Sequence, residues 1–133
     1  MKVIILIIMI FCHIVDDYYL QGWLASAKQK EWWKTNAPED LYKYDYLIAL
    51  FIHSFSWAFM VMIIPTIYYI IANPDNYLYF TIIALFIGNM WVHAWIDNQK
   101  ANAKSINLIV DQLVHIFQII QIWVLMVVIN WKW

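Results

Sequence analysis

Four apolar stretches dominate this chain, at about Val3–Leu24, Tyr46–Ala72, Tyr77–Asp97 and Ile106–Ile129. At 1.5 Å of rise per residue, each is long enough as a helix to cross the roughly 30 Å of a bilayer's hydrocarbon. They read as four helices, not four strands. The expected fold is all-α, a four-helix transmembrane bundle that forms one integral membrane domain over residues 1–133. With 65% hydrophobic and only 13% charged residues, the chain carries more apolar surface than a soluble domain of this size can hide.

Other features of the composition agree. Nine Trp, nine Tyr and seven Phe suit a bilayer, where indole and phenol rings settle at the headgroup boundary. Two glycines argue against a loop-rich fold. A net charge of −1 and the absence of Arg leave no basic patch and no guanidinium fork for phosphates, which excludes nucleic acid as a partner. The single Cys12 forms no internal disulfide and reads as a buried thiol without special role. Lys2, the apolar run after it and Ala25-Ser26-Ala27 have the outline of a signal peptide with its cleavage site. His13, Asp16 and Asp17 within the run argue for a retained span instead.

Lys28, Lys30, Lys34, Lys43, Lys100 and Lys104 fall in the first and third connections, while Lys2 and Lys132 lie at the two ends. The positive-inside rule puts those connections in the cytoplasm and both termini on the outer side of a bacterial inner membrane. A tight turn is expected at Asn73-Pro74-Asp75-Asn76, with Pro74 stopping a helix and Asp75 marking the outer side, and a short polar link at Asn98–Ser105. Pro65 lies inside the second span and is expected to kink it. The stretch Glu31–Asp45, with Trp32, Trp33, Tyr42 and Tyr44, reads either as an amphipathic element on the inner interface or as an aromatic belt.

The chemistry is concentrated inside the spans. All four histidines lie there, and three have an aspartate four residues away: His13 with Asp17, His93 with Asp97, and His115 with Asp111. That spacing puts both side chains on one helical face. His53 completes one histidine per helix. Gln21, Asn89, Asn107 and Gln118 extend the same faces, whereas Gln112 flanks Asp111 but points off its face. Successive helices run in opposite directions, so a shared site must alternate between late and early parts of the spans. His13 and Asp17 are late, His53 early, His93 and Asp97 late, and Asp111 and His115 early, all toward the lysine-rich side.

An ionisable side chain at membrane depth costs at least a few kcal/mol, so seven at one level need compensation, and a bound cation supplies it. Imidazole with carboxylate suits Zn²⁺, Mn²⁺ or Fe²⁺. His13, Asp17, His53, His93, Asp97, Asp111 and His115 are the candidate ligands; they outnumber the ligands of one catalytic zinc and leave room for two ions. Some of the aspartates would then orient a histidine ring instead. Asp16 reads either as a general base facing the site or as an interfacial partner of a lysine, and Gln21 as a substrate contact. Three readings compete with the metal site: a structural polar core, a proton or ion path, and a haem site, for which aspartates one turn from the histidines would be an odd lining.

Taken together, HxxxDYYLQ at His13–Gln21, a central His53, HAWID at His93–Asp97 followed by Lys100, and DQLVH at Asp111–His115 resemble a domain-of-unknown-function family of small bacterial and phage inner-membrane proteins. The resemblance covers nearly the whole chain and carries no activity with it. The pattern is loosely similar to membrane-bound metal-dependent hydrolases, an analogy of class.

The resulting expectation is a membrane-embedded metalloenzyme in which metal-activated water hydrolyses an ester or phosphoester, from a small molecule or a lipid, at the cytoplasmic membrane face. Membrane lipids are its expected surroundings. The alternative is a metal-ion or proton transporter acting as a homo-oligomer, which would need polar groups across the whole bilayer; beyond the site only Gln118 and Gln121 continue them. A structural or pore-forming small phage membrane protein would leave the His–Asp geometry idle.

Overall fold

The computed structural model of the chain describes residues 1–73 and 78–129. The expected turn at Pro74-Asp75-Asn76 and the terminal Lys132 lie outside them. Helix α1 (Lys2–Val15) is prolonged by a π-helical turn over Asp16–Leu20. The chain then breaks at Gly22, whose φ of +48° is a left-handed conformation that costs glycine nothing sterically. The first membrane-length helix therefore stops at Leu20, four residues short of the expected Leu24. A single separate turn, α2 (Leu24–Ala27), comes after the break.

Helix α3 (Lys30–Asn36) and a 3₁₀ turn (Asp40–Tyr42) lead into α4 (Asp45–Ala72), which runs on through Pro65. Helix α5 (Leu78–Asn98) continues as a second π turn over Gln99–Ala103. The link expected to be irregular from Asn98 is thus helical as far as Ala103, and it ends on Lys104 at φ +54°. Helix α6 (Leu108–Trp123) is capped by the Asn107 side chain, which accepts from the Val110 N–H, and finishes in a third π turn, Val124–Val128. The cap satisfies one of the amides a helix start leaves unpaired.

Helix α4 packs against α1, α5 and α6, and α6 closes the bundle on α1 and α5. Four helices are long and apolar enough to cross a membrane: Lys2–Leu20, Asp40–Ala72, Tyr79–Ala103 and Leu108–Val128. Their outward faces carry Ile7, Phe11, Phe51, Phe55, Phe59, Leu113 and Phe117, all exposed, while the four histidines are buried. Polar groups inside and large apolar groups outside is the reverse of a water-soluble bundle. Ala49, Ser54 and Ala58 are the small residues on the buried face of α4, and small residues let neighbouring helix backbones approach closely.

The interior has two storeys. One is apolar, built from Ile5, Met9, Val61, Met62, Ile119, Ile122 and Met126. The other, toward the lysine-rich end, is polar. Trp57 joins them: it belongs to the apolar cluster, is fully buried, and donates its indole N–H to His13 Nδ1 at 2.8 Å. Trp57→Ala is expected to cost about 3–5 kcal/mol of stability, as emptying a buried aromatic position does. Denaturant titration of the detergent-solubilised protein checks this, with outward-facing Phe59→Ala as the comparison that changes little.

Candidate metal centre

The π turn at the end of α1 aims two successive aspartates at α4. Asp16 Oδ1 accepts from Ser56 Oγ at 2.5 Å, and Asp16 Oδ2 lies 3.8 Å from His53 Nδ1. Asp17 Oδ1 lies 3.5 Å from the other nitrogen of the same ring, His53 Nε2. His53 is therefore flanked on both sides by carboxylates of that π turn. Its Nε2 also stands 3.1 Å from His93 Nε2 and 3.2 Å from Asp97 Oδ2. Asp97 then reaches the fourth helix, with Oδ1 3.3 Å from His115 Nε2. Two sets of residues place ligand atoms within 4.8 Å of one another and so could hold a metal ion: Asp17, His53 and His93, and His93, Asp97 and His115. His93 belongs to both, and the two oxygens of Asp97 face the histidines of either set.

Hydrogen bonds orient the rings. Gln118 spends its amide N–H groups on the backbone and side-chain oxygens of Asn89, at 3.1 and 3.2 Å, and so presents Oε1 to His115 Nδ1 at 3.4 Å. The other nitrogen of that ring, His115 Nε2, faces two carboxylate oxygens, Asp97 Oδ1 and Asp111 Oδ1, the latter at 3.4 Å. Two carboxylates converging on one ring nitrogen are satisfied by a proton on that nitrogen or by a cation held among the three groups. Ligands about 2.0–2.1 Å from a tetrahedral zinc ion are about 3.3–3.4 Å apart, and the separations around His53 Nε2 and His115 Nε2 run from 3.1 to 3.5 Å. Among the described residues, Asp17 Oδ1, Asp111 Oδ1, Asp16 Oδ2 and His93 Nδ1 are buried side-chain atoms with no hydrogen-bond partner.

His13 is placed differently from the other three histidines. Its Nδ1 accepts from Trp57, and its Nε2 donates to Gln112 Oε1 at 3.1 Å. Both nitrogens are used by the protein, and His13 is in neither set. Asp111 also stands outside both: its Oδ2 accepts from Lys100 at 2.6 Å and from Gln112 at 3.1 Å, while Oδ1 faces His115. Asp16 is turned toward Ser56 and His53, and is fully buried. Gln21 holds the carbonyl of Asp17 at 2.8 Å and lines the cavity above it.

Gln112 is better placed than its position beside Asp111 suggests. It joins His13, Asp17 and Asp111, donating to Asp17 Oδ2 at 3.3 Å. Lys28 overturns its expected place in a polar loop. It is buried, and its ammonium lies 2.5 Å from Asp97 Oδ2. Asn102 holds it there by donating to the Lys28 carbonyl at 3.0 Å and accepting from the Lys30 N–H at 2.7 Å. No spacing in the sequence marks these contacts, because they join residues some seventy positions apart. Four carboxylates, Asp16, Asp17, Asp97 and Asp111, thus meet two ammonium groups, Lys28 and Lys100. With neutral imidazoles two negative charges remain, the charge one divalent ion cancels.

Above the cluster a cavity of about 390 Å³ reaches down to Asp17 and Asp97 between the ends of α1 and α5 and the start of α6. Comparison of the chain with protein-family models, with curated proteins and with solved structures gives no match.

Proposed function

We propose that this chain is a membrane-embedded, metal-dependent hydrolase that cleaves an ester or phosphoester at the cytoplasmic face of a bacterial inner membrane. The observation that carries the reading is Asp97, whose two oxygens face His53 and His115 across two adjoining sets of ligand atoms that share His93. A carboxylate set between two groups of ligands is the arrangement a two-ion site uses. Asp17, His53, His93, Asp97 and His115 are the ligands; Asp111 stands against His115, while Asp16, His13 and Gln118 are positioning residues. Zn²⁺, Mn²⁺ or Fe²⁺ suits such a donor set. A bound divalent ion supplies Lewis acidity and acidifies water in its shell. The protein's own part is to orient the imidazoles through Ser56, Asp16 and Gln118 and to admit the substrate through the cavity.

The orientation favours the lysine-bearing connections inside, by the positive-inside rule. A transport path is less well supported, because the hydrogen-bonded polar chain reaches Gln118 and Asn89 and the apolar cluster separates it from the buried Asn73 and Thr81 at the far end. Gln121, the other residue expected to extend such a path, is exposed on the outside.

Elemental analysis of detergent-purified protein, after reconstitution with Zn²⁺ or Mn²⁺, is expected to find one to two equivalents of metal. The loaded protein should hydrolyse chromogenic phosphate or carboxylate esters, and a chelator should abolish that. Absence of bound metal after reconstitution would sink the hydrolase and leave a hydrogen-bonded polar core. Gln118→Leu removes the acceptor at His115 Nδ1 and is expected to weaken metal binding about 10–100-fold, as loss of an orienting partner does. Competition with a metal-sensitive dye measures this, and circular dichroism should show unchanged helix content.

A further inference from the structure

The cavity above the cluster has a charge pattern and a wall that select a substrate. Its floor holds Asp17 and Asp97, and three lysines surround it: Lys28, Lys100 and Lys104. Lys28 and Lys100 are each paired with a buried aspartate. Lys104 forms no ion pair among the described residues and is exposed. It is also the only described non-glycine residue with positive φ, at +54°, a conformation that costs a side-chain-bearing residue energy and persists where the surroundings require it. Here it terminates the π turn that follows Asp97, so that a cation with no carboxylate of its own stands at the rim.

The same cavity is lined by Tyr18 and Leu108. Both lie on membrane-length helices, at the end of the first and the start of the fourth, and both are more than half exposed, 57% and 52%. The chamber is thus cationic at its rim, carboxylate-lined at its floor and walled by apolar residues on the outward face of the bundle. An anion fits against Lys104, the one of the three lysines without an ion pair among the described residues, and an apolar chain attached to it would pass between Tyr18 and Leu108 and stay in hydrocarbon.

We propose that this cavity binds the phosphate group of an amphiphilic phosphate ester, with Lys104 receiving the anion and the apolar chain leaving between Tyr18 and Leu108. The proposal deepens the hydrolase reading by naming its substrate class, and it rests on that reading only for the cleavage of the ester. Binding itself is tested without metal. The probes are dodecyl phosphate and inorganic phosphate, titrated by ³¹P NMR into the metal-stripped full chain in maltoside micelles, with empty micelles subtracted. Metal content is measured separately by elemental analysis, so failure of the metal site and failure of the phosphate site are read independently.

Dodecyl phosphate is expected to bind at least tenfold more tightly than inorganic phosphate, since its chain holds it in the micelle around the protein and raises its effective concentration at the cavity. Lys104→Ala should weaken it about tenfold, the loss typical of a charged hydrogen bond, and Lys104→Arg should restore most of it. Lys104→Gly relieves the left-handed backbone while removing the charge, so it supplies the same test in a fold that is not strained. Equal affinity for the two probes would overturn the amphiphile and leave a site for free phosphate. Unchanged affinity in both Lys104→Ala and Lys104→Gly would overturn the phosphate site.

Discussion

His93→Phe is expected to empty the protein of metal. His93 is the one residue common to both sets of ligand atoms, and without it each keeps only two protein donors. Phenylalanine retains a flat ring in the slot where His93 stacks on Trp57 at 4.3 Å and on His115 at 4.1 Å between centroids. The packing therefore survives and the nitrogens do not. Removing a partner that only orients a ligand costs about 10–100-fold in affinity; removing His93, a direct ligand whose ring nitrogen serves one ion, should exceed that range. Elemental analysis after reconstitution is the measurement. Retention of a full complement of metal in His93→Phe, with the bundle still folded, would show that the ions do not sit between these residues.

The second large effect concerns Lys28. Its ammonium is the only lysine nitrogen paired with Asp97 among the described residues, and Asp97 is 3% exposed. Lys28→Met keeps the aliphatic stem and strips the charge, leaving a buried carboxylate without its cation. Breaking one partner of a buried pair typically costs about 3–5 kcal/mol. The metal-free variant should lose stability on that scale in a denaturant titration. Zinc should then return more stability to Lys28→Met than it adds to the parent protein, because the ion replaces the missing positive charge. A ligand present at a thousand times its dissociation constant stabilises by about 4 kcal/mol, enough to offset the loss. Equal stabilisation of both proteins by zinc would mean that Asp97 does not meet the ion.

Reading the membrane character of the chain required only composition and periodicity. Runs of more than twenty apolar residues have one physical outlet, and the four helices of membrane length overlie them, the first ending four residues early at the Gly22 break, the second starting six early at Asp40 and the third ending six late at Ala103. His–Asp pairs four apart were legible for the same reason: helical geometry alone puts His93 and Asp97, or His115 and Asp111, on one face. Alternation of these pairs along successive spans was enough to anticipate a shared level.

Which of those residues meet each other depends on rotations and contacts between helices, which a linear pattern does not encode. His13 and Asp17 have the same spacing as the other pairs. Yet His13 has both nitrogens occupied by Trp57 and Gln112, while Asp17 joins His53 and His93. The π turns at Asp16–Leu20 and Gln99–Ala103 shift side chains off the regular helical period. They bring Asp16 inward to Ser56 and carry Lys100 to Asp111. Lys28 could be assigned to a solvated loop by its charge alone; only the Asn102 clamp and the buried Asp97 show why it turns inward.

From its sequence alone, then, this protein was bound to be a helical membrane bundle with ionisable groups gathered at one end, because apolar length and helical period are local properties of the chain. Tertiary structure decided which histidines and aspartates meet, the ring contacts of Gln118 and Trp57, and the cavity lined by Lys104. These arise from helix–helix contacts between residues far apart in the chain, where distances of 3 to 4 Å between single atoms determine what the site can bind.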